Sequence, residues 1–112
     1  MQEAVRKMSE LGRMPDECID SPSEEVVDLW QTLTESVELP VTREEAEVLV
    51  TLLPEEELYG LGWSLMQTVE SALSGAVTAG EYRELIQKCE SEQWRETMTA
   101  RLDNWLKSKT VD

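Results

Sequence analysis

Three segments of this 112-residue chain share a pattern that starts helices. In each, a hydroxyl residue precedes a glutamate by three positions: Ser21 and Glu24, Thr42 and Glu45, Thr78 and Glu81. The hydroxyl at the N-cap and the later carboxylate can each accept a backbone N–H of the first turn, which otherwise lacks a partner. The pattern therefore predicts three helices whose N-termini are defined by local sequence.

Apolar residues recur at helical spacing after each of these starts and in three further segments. The predicted helices cover residues 2–12, 21–39, 42–53, 54–73, 78–89 and 91–106. No segment alternates apolar and polar residues with the period of a strand. We therefore expect a single all-α domain over 1–112, a bundle of about five or six helices around a central helix from Pro54 to about Leu73. Residues 1–20 are expected to form a loosely packed N-terminal helix and loop.

The central helix is unusual because it contains two glycines, Gly60 and Gly62, beside Tyr59 and Trp63. A glycine in a helix interior costs ~1 kcal/mol relative to alanine. On a helical projection Gly62 lies within a wide apolar arc, and Gly60 lies outside it. We expect Gly62 to let another helix backbone approach closely. Gly60 is expected to leave a bare patch of backbone beside the arc.

One edge of this predicted helix combines aromatic and acidic side chains beside the bare backbone of Gly60. Its other members, in angular order, are Tyr59, Glu70, Trp63, Glu56 and Gln67. Tyrosine and tryptophan are favoured anchors of protein interfaces. The edge therefore predicts either a partner-docking surface or a face that residues 1–13 or the last helix cover.

Glu70 lies on this edge, away from the turns that start helices. It is either a buried acid available for chemistry or the partner of an arginine, for which the candidates are Arg83, Arg95 and Arg101. The glutamates of 44–47 and 55–57 fall in predicted first turns, where the helix dipole favours negative charge. We therefore assign no catalytic residue.

The net charge of −14 is concentrated in one part of the chain. Residues 14–80 hold fifteen acids and one base, Arg43, which gives −14. The two ends cancel, with two acids and three bases in 1–13 and seven acids and six bases in 81–112. Such a field repels nucleic acid and anionic membranes. It either keeps the chain soluble or attracts a basic protein partner. The acids expected to steer such a partner are Glu44, Glu45 and Glu47.

Histidine is absent from the chain, which excludes the common histidine-dependent catalytic pairs and most zinc sites. Cys18 and Cys89 show no metal-binding spacing, and they are either reduced thiols or joined in a disulfide. The chain start has no hydrophobic signal region, and no stretch approaches the ~18 apolar residues of a membrane span. We expect a cytoplasmic protein with reduced thiols, no cofactor, no metal and no enzymatic activity. The oligomeric state stays open.

The segment ELYGLGWSLMQTVESA, with the proline and acids before it, resembles a stretch of small acidic helical bacterial proteins of uncharacterised role. Members of that kind are often suggested as immunity proteins of polymorphic toxin systems. The resemblance covers about Pro54 to Ala72 and implies that the chain binds and blocks a toxin. In size and charge the chain also resembles the acidic helical immunity proteins of nuclease bacteriocins. It lacks their paired-tyrosine-proline motif, since Gly60 follows Tyr59, and no binding residue is carried over.

These observations lead to one preferred function and two alternatives. The preferred function is a cytoplasmic binding protein that neutralises a basic protein partner, most concretely an immunity protein that occludes a toxin. Tyr59 and Trp63 would anchor the partner, and the acids of 14–80 would steer it. The first alternative is a helical adaptor or self-associating module whose charge serves solubility. The second is a helical enzyme that uses Glu70 as a buried carboxylate.

Overall fold

The computed structural model describes residues 1–110 and contains no strand within that range. Its α-helices are α1 Glu3–Leu11, α2 Glu24–Ser36, α3 Arg43–Leu49, α4 Leu61–Glu70, α5 Ala79–Ile86 and α6 Glu92–Thr110. Short 3₁₀ turns at Val50–Leu52 and Ser71–Ser74 extend α3 and α4. The expected all-α bundle is confirmed. Residues 111 and 112, which the expected domain included, lie outside the described residues.

The helix α4 lies in the middle of the bundle. It packs against α2 and α3, and its Trp63 and Glu70 contact α6. Leu65, Met66 and Val69 of α4 are fully buried, as expected for a helix with neighbours on several sides. Other core side chains come from the predicted apolar stripes: Trp30, Leu33, Ala46, Leu49, Tyr82, Leu85, Trp94, Met98 and Leu102.

The N-terminal segment is well packed, so the expectation of a loose N-terminus is wrong. The helix α1 packs against α2 and α3, and its Val5 and Met8 are fully buried. Met14, in the loop after α1, is also buried, and its N–H donates to the carbonyl of Leu52 at 2.8 Å. A helix this short is held by the burial of its apolar face and not by its own propensity.

The helices α3 and α5 begin as the capping pattern predicts. In α3, the N–H of Thr42 donates to Glu45 Oε1 at 3.0 Å, and the N–H of Glu45 donates to Thr42 Oγ1 at 3.1 Å. In α5, Thr78 and Glu81 exchange the same two hydrogen bonds at 2.9 and 3.1 Å. Both N-termini are therefore satisfied by local side chains.

The helix α2 begins two residues later than the same pattern predicts. Ser23 is the N-cap, and its Oγ accepts the N–H of Val26 at 3.3 Å. Ser21, the expected cap, instead has a left-handed φ of 43°. Pro22 therefore precedes the helix and does not form its first position. Ser23 offers the same hydroxyl directly before the helix but has Val26 three positions later, so α2 has a serine cap without the glutamate of the capping box.

The central helix is shorter than predicted because it begins at Leu61 and not at Pro54. Residues 54–60 form a loop, so the glutamates of 55–57 do not occupy a first helical turn. Tyr59 and Gly60 have φ values of 50° and 87°. These left-handed conformations cannot continue a right-handed helix.

A carboxylate from this loop caps α4 nevertheless. Glu57 Oε1 accepts the N–H of Leu58 at 2.9 Å and the N–H of Gly62 at 2.5 Å. Its Oε2 accepts the N–H of Trp63 at 3.2 Å. The negative charge predicted for this N-terminus is thus present, but it reaches the helix from outside through a side chain.

Candidate partner-binding site

The predicted edge of the central helix is largely exposed. We define the α4 face as Tyr59, Gly60, Trp63, Gln67 and Glu70. Tyr59 is 66% exposed and Trp63 is 42% exposed. Gly60 and Gln67 are also exposed, and Glu70 is half-buried at the far end of the face. Two large aromatic side chains are therefore exposed to solvent, Tyr59 in the loop before α4 and Trp63 in the first turn of that helix.

Trp63 is held in place by α6 although it is exposed. The guanidinium of Arg101 lies over its ring, with Cζ 5.1 Å from the ring centroid. The ring centroid also lies 6.4 Å from that of the buried Trp94. Arg101 is fixed by Glu70, with Nε–Oε2 and Nη2–Oε1 distances of 2.8 and 2.7 Å. Such a bidentate pair fixes the plane of the guanidinium, so the indole is oriented by rigid neighbours.

The arginine pair expected for Glu70 is confirmed, and Arg101 is its partner. The other two candidates bond elsewhere: Arg83 to a carboxylate of α6, and Arg95 to a backbone carbonyl. Both oxygens of Glu70 are engaged by Arg101. The half-buried carboxylate therefore acts as a support for the arginine that covers one side of Trp63.

The α4 face is bordered by its neighbours and not covered by them. The helix α1 packs against α2 and α3, so residues 1–13 do not lie over the face. The helix α6 covers only the side of Trp63 that Arg101 and Trp94 contact. Glu56, in the loop before α4, is exposed as well. The alternative of a covered edge is therefore wrong for most of this surface.

Gly62 is needed for close packing, although not for the approach of a helix backbone as expected. A Cβ at this position would lie 2.5 Å from Glu57 Oε1 and 2.9 Å from both Pro54 Cγ and Trp94 Cζ2. These atoms are side-chain atoms of the preceding loop and of α6. The glycine therefore makes room for the cap of α4 and for the ring that supports Trp63.

A groove separates the α4 face from α2, and we call it the α2 groove. It has a volume of about 260 Å³. From α2 it is lined by Val27, Gln31 and Glu35, and from the other side by Tyr59 and Ser64. It thus combines an apolar side chain, a carboxylate and the exposed tyrosine.

A second groove lies between the α4 face and α6, with a volume of about 590 Å³. Its lining includes Glu70 and Arg101, which are already bonded to each other, and also Trp105 and Lys109. The Nζ of Lys109 lies 3.9 Å from the centroid of the Trp105 ring. Glu70, Arg101 and Lys109, the charged side chains of this groove, are therefore each engaged by another side chain of the same molecule.

The side of α2 at the α2 groove carries acids that no base neutralises. The helix contains Glu24, Glu25, Asp28 and Glu35 but no lysine or arginine. Within residues 1–110 none of these acids forms a salt bridge. Glu24 and Asp28 precede Gln31 by seven and three residues, which places them on the same side of the helix. No salt bridge within residues 1–110 therefore offsets the negative charge of this side of α2.

Glu45 of α3 is not available to a partner. It is 3% exposed, and its carboxylate accepts the N–H of Thr42 at 3.0 Å and that of Gln2 at 2.8 Å. Burial raises the pKa of Glu45, but the hydrogen bonds from Thr42 and Gln2 outweigh that effect and leave the pKa below its ordinary value. The carboxylate ties the start of α1 to the start of α3, so the steering role predicted for it is wrong.

The two other acids of α3 differ in their availability. Glu47 is paired with Arg43 at 3.4 Å and with Lys88 at 3.9 Å, so its charge is largely neutralised. Glu44 is exposed and forms no salt bridge within residues 1–110. A steering role for Glu44 stays a prediction.

The described residues were also compared with the requirements of a metal site, a reactive thiol and a membrane span. Residues 1–110 hold no group of three or more His, Cys, Asp or Glu side chains placed to bind a metal ion. Cys18 is exposed and Cys89 is buried, and both are free thiols. Burial raises the pKa of the Cys89 thiol. Within the same range no helix combines the length and apolar character needed to cross a bilayer.

Comparison of the chain with protein-family models, with curated proteins and with solved structures finds no match in any of the three. The resemblance of Pro54–Ala72 to immunity proteins therefore stays a prediction. A function is supported here only by the geometry and charge of the α4 face and its surroundings.

Sequence reasoning missed the acids of α2 as candidate site residues. Their signal was available, because a 13-residue helix with four acids and no base must leave acids unpaired unless another element supplies the bases. It also missed the buried Asp16. No sequence signal separates that residue from the other acids of 14–80, because two of its hydrogen-bond donors are the backbone N–H groups of Glu56 and Glu57, which are distant in sequence.

Proposed function

We propose that the chain is a binding protein for a basic protein partner, which it contacts through the α4 face and the α2 groove. The observation that carries the proposal is an exposed tryptophan, Trp63, that Arg101 and Trp94 hold in place. An aromatic side chain that is already fixed loses little conformational entropy on binding. Tryptophan and tyrosine are also the side chains enriched among residues that dominate interface energies.

The charge of the surroundings indicates what kind of partner this surface fits. The unpaired acids on one side of α2 are Glu24, Asp28 and Glu35. A lysine or arginine in the α2 groove could pair with Glu35 and pack its alkyl chain or its cation against the ring of Tyr59. The net charge of −14 adds a long-range attraction that speeds association with a cationic protein.

The alternatives fit these observations less well. A symmetric dimer through the α2 groove would place the acids of the two α2 helices near each other, and like charges across an interface are unfavourable. An enzyme that uses Glu70 would need a free carboxylate oxygen. Arg101 engages both oxygens of that residue.

In its most concrete form the partner is a toxin, and the chain is a cytoplasmic immunity protein. This form follows from the resemblance of Pro54–Ala72, a segment that includes Tyr59 and Trp63. Inhibition would occur by occlusion of a basic surface of the toxin. Occlusion requires contact area and charge complementarity, and it requires no catalytic residue in the inhibitor.

A selection from displayed random peptides tests the proposal. We expect the peptides that bind the chain to be rich in lysine and arginine, and their binding to weaken as salt rises. Trp63→Ala should weaken the best peptide by about tenfold or more, as the loss of a dominant interface residue does. Isothermal titration calorimetry measures the affinity, and circular dichroism establishes that the variant is folded. If the chain is an immunity protein, we also expect a selected peptide to match a segment of a toxin that is encoded beside this chain.

A matched control separates binding from general surface effects. Leu29 of α2 is 43% exposed, much like Trp63, but it lies outside the α4 face and does not line the α2 groove. We expect Leu29→Ala to leave the affinity unchanged. Tyr59→Ala provides a second test at a side chain that is not packed into the core. Selected peptides without an excess of basic residues, or equal losses of affinity in the Leu29 and Trp63 variants, would contradict the proposal.

A further inference from the structure

A buried carboxylate from a distant part of the chain holds the loop that presents Tyr59. Asp16 is 2% exposed. Its Oδ2 accepts the N–H of Glu56 at 2.9 Å and the N–H of Glu57 at 3.3 Å. The N–H of Glu17 also donates to the carbonyl of Glu57 at 2.9 Å. The loop before α4 is therefore bonded to the loop after α1 at two consecutive residues.

Asp16 is itself fixed on the other side of its carboxylate. Its Oδ1 accepts the N–H of Cys18 at 2.8 Å and that of Ile19 at 3.0 Å. Its own N–H donates to Asp20 Oδ2 at 2.8 Å. The hydrogen bonds from Ile19 and then from Cys18 and the loop amides hold the pKa of Asp16 below its ordinary value, although burial raises it. The charge is thus satisfied by backbone donors and forms no salt bridge within residues 1–110.

The conformation of Tyr59 explains why its loop needs such support. Its φ of 50° lies in the left-handed region, which is unfavourable for a residue that carries a Cβ. Such a conformation persists where the surrounding structure determines it, and it occurs often at functional sites. Here the supports are Asp16 and the cap Glu57 before Tyr59, and the N–H of Tyr59 lies 3.4 Å from Glu17 Oε1.

We propose that Asp16 is a positioning residue for the basic partner, because it keeps Tyr59 in the exposed, left-handed conformation in which the ring borders the α2 groove. This inference rests on the proposed function. Asp16 is too deeply buried to contact the partner itself. It acts on binding through the backbone of Glu56 and Glu57, and so through the orientation of Tyr59.

The variant Asp16→Asn tests this role. It replaces one acceptor oxygen by an NH₂ group, which cannot accept the N–H groups that a carboxylate accepts. For the basic peptide selected on the unmodified chain, we expect the Kd to rise about tenfold, mainly through faster dissociation. Hydrogen exchange at the amides of Glu56, Glu57 and Tyr59, measured by nuclear magnetic resonance, should become faster.

A double-mutant cycle distinguishes positioning from a general loss of stability. If Asp16 acts through Tyr59, Asp16→Asn should change the Kd by less than about twofold in a chain that already carries Tyr59→Ala. Glu81→Gln is the matched control, since it alters a hydrogen-bonded carboxylate that contacts Thr78 and Arg43 instead. We expect this control to leave the Kd unchanged. Glu17→Gln is a milder second variant, expected to raise the Kd less, should Asp16→Asn not fold.

The outcomes separate this inference from the proposed function. An unchanged Kd in folded Asp16→Asn, or an equal effect with and without Tyr59, overturns the positioning role while partner binding stands. A selection that yields no basic peptide refutes the proposed function. Hydrogen exchange in Asp16→Asn then tests the loop contact by itself. Unchanged exchange at the amides of Glu56, Glu57 and Tyr59 would show that Asp16 does not hold the loop, whereas faster exchange would show that it does.

Discussion

At the scale of single residues, Gly62 is the position on which the arrangement of the α4 face most depends. Three groups converge where its Cβ would be: the cap carboxylate of Glu57, the ring of Pro54 and the indole of Trp94. The first determines where α4 begins, and the last supports Trp63. The absence of one side chain therefore makes room for both the cap of α4 and the indole of Trp94.

We expect Gly62→Ala to destabilise the fold by ~1 kcal/mol, the difference between the cost of overpacking and the gain in helix propensity. Alanine has the better helix propensity by ~1 kcal/mol, but overpacking a core position costs ~1–3 kcal/mol. The overpacking should dominate because the neighbouring groups are a ring, a buried indole and a carboxylate held by hydrogen bonds. The midpoint of urea unfolding, followed by circular dichroism, measures the change.

The matched control for this substitution is Gly80→Ala in the first turn of α5. A Cβ there would have only Thr78 Oγ1 within 4 Å, at 3.9 Å. The same gain in propensity should therefore appear without overpacking, as a stabilisation of up to ~1 kcal/mol. An equal gain in both variants would show that the packing around Gly62 yields easily and would contradict our account of that residue.

At the scale of the elements, α1 belongs to the bundle because one carboxylate serves two helix starts. Glu45 completes the capping box of α3 with Thr42 and also accepts the N–H of Gln2, the residue before α1. Val5 and Met8 then bury the apolar face of α1 against α2 and α3. A local cap thus becomes a tertiary contact when a second helix start lies close to it.

This junction should make stability depend on pH. Because the pKa of Glu45 in the folded chain lies below its ordinary value of 4.5, ionised Glu45 stabilises the fold above that pH. This stabilisation is lost as the pH falls through the lower, folded pKa. Glu45→Gln should therefore be less stable than the unmodified chain at pH 7, and the difference should shrink at about pH 3. Urea midpoints at the two pH values measure it.

Glu44→Gln is the control for the pH experiment, because Glu44 is the exposed neighbour of Glu45 in the same helical turn. We expect it to change the midpoint little at either pH. A difference between Glu45→Gln and the unmodified chain that stays constant from pH 7 to about 3 would mean that ionisation of Glu45 does not contribute.

At the scale of the whole molecule, the dominant feature is an excess of negative charge. The net charge is −14, and the acids of α2 form no salt bridge in the described chain. Bases are engaged with acids elsewhere, as Arg6 is within α1 and Arg13 is at Glu55 and Glu90. Self-repulsion of this kind destabilises a compact state.

Added salt should therefore stabilise the free chain. Raising NaCl from 0.01 to 1 M shortens the screening length from ~30 to ~3 Å, which weakens the repulsion between acids. The same change weakens the surface salt bridges, but such pairs are worth only ~0–1 kcal/mol each. We expect a net increase of the urea midpoint at pH 7. The increase should be smaller near pH 4, where carboxylates begin to be protonated. An increase of the same size at both pH values would point to a salt effect unrelated to charge.

Several features could be predicted from the sequence because they depend on neighbours within about one helical turn. The capping boxes at Thr42 and Thr78 are of this kind, as is the all-α class, which follows from apolar residues at helical spacing. The part of the predicted edge that lies within α4, formed by Trp63, Gln67 and Glu70, was also recognisable, since residues three and four apart share a helix face. The arginine pair of Glu70 was expected in kind, although the sequence left three arginines as candidates.

Other features were decided only by the tertiary structure. The start of α4 depends on left-handed backbone at Tyr59 and Gly60 and on a cap from Glu57, which end the helical pattern that the apolar spacing alone extends to Pro54. Whether an acid is free depends on which bases fold beside it, so Glu45 became a buried tie while the acids of α2 stayed unpaired. The carboxylate of Asp16 is likewise held by a backbone donor 40 residues away, which no local pattern reveals. Local patterns determine where helices form, whereas contacts between distant segments determine which side chains remain available for a partner.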